Sequence, residues 1–594
     1  MPASPVNAKT DLITFTILAA GQKINDTYRV LSIETYKWIN KISHATITLL
    51  DGSAATSDFE VSNKADFLPG TEIEIKAGYH STEKTIFKGI ITKHGVAASA
   101  GSSTLKLDCR DKAIKMTIGR KNAYFLNKKD SDIISSLIGA SGVNADVDDT
   151  SYLHKGMVQF NATDWDFMMT RADANGLLVV VSDGKVQVKK PDTSKSPQLV
   201  VSHGSTLLEF SAEMDATEQL KSVKGYAWDS ASQKIVNGTA KSTVKGPGNV
   251  TSDTLSSVIG LSEFVLQSNG NMETNDLKNW ALAKDTRSKL ASITGFVKFQ
   301  GSDLAVPGEM LQLEGIGDRF NGNVFISSVH HIIEDGQWTT EVDFGLSAEW
   351  YSEERPMVTA PPASGLLPAV GGLQVGLVKQ IHEDPDGQFR VLTKVPIMQK
   401  DSDAIWARLC TFYASNGFGN FFYPEVNDEV ILGFINDDPR YPVILGSVYS
   451  KKNKPPITPA DKNEKKALVT QSKLEVSFDE KDKIIQIKTP GGNQLTISDK
   501  DKGLLLVDQN NNKLTLDSSG ITLDSASNIS IKAKGNISVE AGGNLSQKAK
   551  ANVTVDGLEI QNTAKTAFTA KGNATAEISA SGQTTVKGAM VMIN

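Results

Sequence analysis

Five consecutive blocks of eight residues begin at Ile521: ITLDSASN, ISIKAKGN, ISVEAGGN, LSQKAKAN and VTVDGLEI. Ile521, Ile529, Ile537, Leu545 and Val553 open them, and Asn528, Asn536, Asn544 and Asn552 close the first four. Within a block an apolar residue alternates with Ser or Thr and then a second apolar residue, as in Ile529-Ser530-Ile531 and Ile537-Ser538-Val539. That is the period of two of a short strand burying one face. Gly535-Asn536 and Gly542-Gly543-Asn544 supply residues that tolerate positive φ, so the chain can turn a corner after each strand. A low-complexity linker can share this polar composition, but it does not hold apolar residues at a fixed period.

One chain with eight residues per rung, and one or two apolar side chains in each, cannot close around a core; single-chain β-helices use longer coils. Several copies must share the interior. The expectation is a homotrimer whose core is lined by Ile521, Ile529, Ile531, Ile537, Val539, Leu545 and Val553. A less regular continuation runs through Phe568, Gly572-Asn573, Ser581-Gly582 and Gly588, and longer alternating strands such as Ile484-Ile485-Gln486-Ile487 precede the repeat. Residues 467–594 are therefore expected to form a rod. More than a dozen strands stacked at about 4.8 Å would extend it at least roughly 60 Å.

The remaining sequence narrows the function classes. A chain of 594 residues exceeds a single core and divides into several domains. Its net charge of −6 lacks the basic footprint that phosphate backbones demand, so nucleic acid is not an expected partner. Cys109 and Cys410 show no metal or redox spacing and are expected to be buried free thiols. The apolar stretch Leu12 to Ala20 is broken by Thr14 and Thr16 and alternates like a strand, so no secretion signal is read there. No apolar run is long enough to cross a bilayer as a helix. The protein is expected to be made in the cytoplasm and, if it leaves, to be carried out by other components.

Residues 371–450 read as an OB-like barrel of five short strands, with turns at His382 to Gly387 and Asn436 to Pro439. The segments Asp384-Pro385-Asp386-Gly387-Gln388-Phe389-Arg390-Val391, Trp406-Ala407-Arg408-Leu409, Tyr423-Pro424-Glu425-Val426-Asn427-Asp428-Glu429-Val430 and Asp438 to Val448 resemble the barrel of the VgrG family. That family comprises the spikes of type VI secretion and the related hub-and-spike proteins of contractile phages and extracellular injection particles. Asn427 stands where the family usually has Gly, and Asn is the best substitute in a left-handed turn. Six basic residues against ten acidic ones make this barrel a poor funnel for oligonucleotides. Farther upstream, Asp66 to Ile75, the capped helix Thr163 to Gly176, a second helix at Glu273 to Ala291, and Gly317 to Gly322 resemble the hub of the same family.

The resemblance implies a mainly β chain. Residues 1–355 would form a hub of two tube-like barrels with helical insertions, followed by a linker (356–370), the barrel (371–450), a second linker (451–466) and a trimeric triple-stranded β-helix (467–594). It implies docking on a hexameric inner tube and baseplate proteins. It also implies a small PAAR-type protein capping the blunt tip at Val591, Met592, Ile593 and Asn594, possible effectors as cargo, and transient contact with a target membrane.

No catalytic, cofactor or metal site is read. Adjacent His330 and His331 point to opposite faces of a strand. The carboxylates of His382 to Gly387 sit in a turn without calcium-loop spacing. The 451–466 interval is too short to hold a folded lytic domain, and no effector domain is expected after the rod. The competing reading, a β-helical tail-spike enzyme that cleaves surface polysaccharide, requires paired carboxylates on neighbouring rungs. Asp517, Asp524, Glu540, Asp556 and Glu559 are instead scattered along the rod.

Overall fold

The computed structural model describes residues 2–6, 12–229, 231–268, 272–355, 358–399 and 404–593. The chain divides into two units, Met1–Val448 and Tyr449–Asn594.

Alternating apolar residues build the first unit. Strands Ile13–Ala19, Val30–Trp38, His44–Leu50, Glu72–Tyr79, Thr82–Ala98 and Ser103–Arg110 each bury one face, and the inward residues, among them Ile33, Ile47, Ile75, Phe87 and Leu107, form one core. A second core is built from Val201, Val297, Phe299, Leu311, Val329, Val342 and their neighbours. The two halves share a continuous 13-stranded sheet, because Gly322–Glu334 of the second half pairs antiparallel with Val30–Trp38 of the first, in the register Ile333↔Ile33. The hub expected as two barrels thus has two cores joined by one sheet.

Helices pack beside this sheet. Helices α1 (Asp130–Ala140) and α2 (Asp164–Ala174) enclose Ile134, Ile138, Trp165, Met168 and Met169 with the hairpin Leu178–Ser182 and Lys185–Lys189. Thr163 caps α2 by accepting a bond from the Asp166 amide at 3.0 Å, as the sequence predicts. Gly176 ends this segment at φ +65°, and a Cβ there would meet Ala283 Cα at 3.2 Å. Glycine therefore serves both the left-handed backbone and the close approach of helix α4 (Thr274–Leu290). A shorter helix, α3 (Ser252–Ile259), lies between α2 and α4 in the chain.

Helix α4 carries few apolar residues, yet its second half is buried: Lys284, Asp285, Arg287, Ser288 and Lys289 all lie inside. Each is paired. Arg287 bonds Asp173 and donates to the Glu349 carbonyl at 2.7 Å; Lys284 donates to the Ala348 carbonyl at 3.0 Å; Asp285 accepts from the Ser242 amide at 2.6 Å. Asp173 in turn accepts from the Tyr351 amide at 2.7 Å. With Ser288 donating to the Glu218 carbonyl at 2.7 Å, the helix joins four separate chain segments through polar contacts, since buried charge is tolerated only when fully partnered.

The last part of this unit is a closed five-stranded barrel of strands Gln374–Gln380, Val391–Lys394, Ile405–Leu409, Glu429–Phe434 and Pro442–Ser447. Val378, Val391, Ala407, Val430, Leu432 and Ile444 fill it. Asn427 adopts φ +74°, the left-handed turn expected of it.

The second unit opens with seven five-residue strands between Lys465–Val469 and Gly520–Asp524, paired in sequence order as an antiparallel meander. Lys465 and Lys466, expected in the linker, already belong to the first strand. Beyond Asp524 no strand is found among the described residues.

Candidate assembly interface

The meander sorts its side chains by face. In register, Phe478 faces Ile485, Ile485 faces Ile497, Leu504 faces Leu516, and Leu516 faces Ile521; two residues along each strand, Ile487 faces Leu495 and Leu495 faces Leu506. Residues i and i+2 of a strand share a face, so one side of the sheet carries two apolar residues on each strand from Glu475–Asp479 onward. Ile485, Ile487, Leu504 and Leu506 on that side are exposed, while Gln486 between them is half-buried and Thr496 on the opposite face is buried. The chain alone thus presents its greasy side outward. This reverses the usual arrangement of a sheet that functions by itself.

Beyond its first strand, the repeat shows the same exposure with no ladder. From 526 to 593 the described residues make no strand pairing and no backbone–backbone hydrogen bond within the chain, and every one of them is exposed. Ile521 is 73% exposed and Ile531 71%, and Ile529, Ile537, Val539, Leu545 and Val553 are also exposed. The backbone nevertheless bends at 526–527, 534–535, 542–543 and 550–551, eight residues apart. Ordering an extended backbone costs about 1–2 kcal/mol per residue, which nothing in the isolated segment offsets. Val591, Met592 and Ile593 are likewise exposed; Asn594 lies outside the described residues.

The chain bends at the glycines the sequence singles out, but without left-handed backbone. Positive φ is absent at Gly535, Gly542 and Gly543, and a Cβ on any of them would meet open space within the chain. The bends are right-handed or extended backbone, so these glycines are not required by a left-handed turn. In the meander, by contrast, positive φ occurs between successive strands at Lys473, Lys483, Gly492, Lys502 and Asn511, and at Gly520, the first residue of the last strand.

The other candidate clusters are structural. His330 stacks on Tyr36 at 3.8 Å and meets Glu341 at 3.2 Å, while His331 lies in the interior against Thr340 at 2.9 Å, its pKa lowered by burial to about 3. The two imidazoles do not converge. Asp384 organises the turn at 382–387: it accepts from the amides of Gln388 at 2.9 Å and Arg390 at 3.1 Å and pairs with the Arg390 guanidinium, which holds its carboxyl well below the usual range. Among the described residues no group of three His, Cys, Asp or Glu is placed to hold a metal ion. No helix among them is long and apolar enough to cross a membrane.

Cys109 is buried, and desolvation pushes its thiol up to about 12. Cys410 departs from expectation and is exposed. It follows the last residue of strand Ile405–Leu409, and although its amide donates to the Ile444 carbonyl at 2.9 Å, its side chain leaves the barrel. The loop after it exposes Phe412, Tyr413, Phe418, Phe421 and Phe422, a concentration of aromatic surface that strand patterning does not reveal.

Comparison with known families accounts for these parts. Residues 9–335 match the Alg8 N-terminal domain, residues 374–449 the type VI secretion system/phage-baseplate injector OB domain, and residues 484–546 the phage baseplate V C-terminal trimerisation domain. The chain belongs to the VgrG spike family, its first half being an Alg8 N-terminal domain. Over 96 residues, 15% of this VgrG-type chain and 12% of the relative, it is 32% identical to the type VI secretion system spike protein VgrG4b of Pseudomonas aeruginosa. Over 180 residues, 28% of this chain and 16% of the relative, it is 26% identical to the actin cross-linking toxin VgrG1 of Vibrio cholerae. The matched stretches therefore span less than a fifth of these relatives' lengths. Among solved structures, the 43 kDa tail protein of prophage MuSo2 from Shewanella oneidensis aligns over 57% of this chain and 99% of its own, at 11% identity and a TM-score of 0.42. The lidded Francisella PdpA–VgrG complex aligns over 88% of this chain and 81% of that one, at 11% identity and a TM-score of 0.39.

Proposed function

We propose that three copies of this chain form the central spike of a contractile injection machine, a mechanical rather than a catalytic part. The observation that carries this reading is the ordered eight-residue bending of a segment with neither internal backbone pairing nor a core of its own. Wound together, three such segments would pair the backbone of each with its neighbours and enclose Ile521, Ile529, Ile531, Ile537, Val539, Leu545 and Val553. The match of residues 484–546 to a trimerisation domain supports the same stoichiometry.

In this reading the N-terminal unit docks on a hexameric inner tube and on baseplate proteins. Val591, Met592, Ile593 and Asn594 would take part in binding a PAAR-type cap, and effectors would travel with the cap or inside the tube. Sheath contraction drives the rod through a target envelope. Stiffness would come from pairing between copies, because a backbone whose hydrogen bonds are all made does not bend without breaking several at once.

Mixing the purified protein with the tube protein of the same machine tests this function. The expected result is rings or short tubes closed at one end by one trimer each, seen by electron microscopy. Absence of any complex, with the trimer intact, would contradict the docking role.

A further inference from the structure

The fifth repeat block closes with Ile560, where the first four close with Asn. Carried past Val553, the eight-residue frame would place Gln561, Thr569, Glu577 and Thr585 at the block-opening position, and Thr563, Lys571, Ser579 and Lys587 two residues on. Three copies would then bury rings of Lys571, Glu577 and Lys587 on one axis, like charges brought together out of water. Moving the frame back by one residue replaces them with Ile560, Phe568, Ala576, Thr584 and Met592, followed by Asn562, Ala570, Ile578 and Val586.

The backbone makes the same move independently. Its bends continue at 558 and then fall at 565–566, 573–574, 581–582 and 589–590, so every interval between first bend residues is eight except the one from 558 to 565, which is seven.

Resting on the trimer reading above, we infer that the block opening at Val553 is seven residues long, and that beyond it the interface between copies of this chain is re-phased by one residue. Ile560, Phe568, Ala570, Ile578, Val586 and Met592 then line the distal core. Glu577, Lys571 and Lys587 face solvent. The stretch that looked like a decaying continuation of the repeat is a second regular segment in a shifted frame, continuous with the interface of the trimerisation domain at 484–546. The same frame turns Ile593 outward at the tip.

Paired cysteines in the full chain test the frame, with exposed Cys410 first changed to Ser to remove background labelling. Ile578→Cys and Glu577→Cys form one pair, Val586→Cys and Lys587→Cys a second, and Ile537→Cys with Ser538→Cys a control ahead of the short block. Each protein is assayed by light scattering and by its rate of maleimide labelling. The expected result is a trimer in which the cysteines at 578 and 586 react at least about tenfold more slowly than those at 577 and 587, as the one at 537 does relative to 538. A trimer with the control contrast intact but with the distal contrast reversed or absent overturns the re-phasing and leaves the trimer standing. A monomer in the unsubstituted protein overturns both.

Discussion

Ile33, Ile47 and Leu107 in the first unit are buried by strands of their own chain, whereas Ile485, Leu504 and Ile529 in the second, equally apolar, are exposed. The first unit folds its sheets over cores that it can fill alone, and helix α4 closes the remaining gaps with paired charges. The second carries two apolar residues on one face of nearly every strand and leaves that face open. The difference separates two sources of order. One part is stabilised by its own packing; the other acquires a core only when identical faces meet, at roughly 25 cal/mol per Å² of apolar surface removed from water.

The sharpest way to break this contrast is to charge the shared core. Ile531→Asp would place three carboxylates on one axis at a cost of several kcal/mol per assembly, far more than Ile531→Val. Light scattering should show loss of the trimer, while calorimetry still records unfolding of the first unit at its unsubstituted temperature. Next in size is the converse change, Arg287→Ala. It strands Asp173 in the interior and should destabilise the first unit by about 3–5 kcal/mol in denaturant unfolding, with the mass of the assembly unchanged.

Acidification separates the two regions more gently. Burial lowers His44 to about 4 and His331 to about 3, from an ordinary 6.5. Unfolding releases both to titrate normally, so their contribution is complete above about pH 6.5 and is lost as pH falls toward those lowered values. The rod contains no histidine. Between about pH 7 and 5 the melting temperature of the first unit should fall and dissociation of the rod should not follow it. Smallest is the turn at Asn427, held at φ +74°. Asn427→Val should cost about 1–2 kcal/mol in barrel stability, whereas Asn427→Gly should stay within about 1 kcal/mol of the unsubstituted protein.

What could be read in advance follows the same division. Period-two strands, the Thr163 cap and the left-handed turn at Asn427 are local rules, and the structure follows them. The rod repeat was legible because apolar spacing survives whether one chain or three satisfy it. Helix α4 was visible as a helix but not as a buried one, since Lys284, Asp285, Arg287 and Lys289 look like a solvated face until their partners on other segments are placed. The exposure of Cys410 and its aromatic loop depends on where strand Ile405–Leu409 leaves the barrel. The glycine corners fall where the sequence places them. Glycine permits positive φ without requiring it, and the bends at 534–535 and 542–543 do not use it. Ile560 in the place of Asn was the one letter that marked the short block.

The central claim is that the C-terminal unit has no core until copies share one. Light scattering of the purified full-length chain at low micromolar concentration tests it most directly. The account predicts a single species of three times the chain mass that persists on dilution. A folded, stable monomer with the rod intact would contradict it.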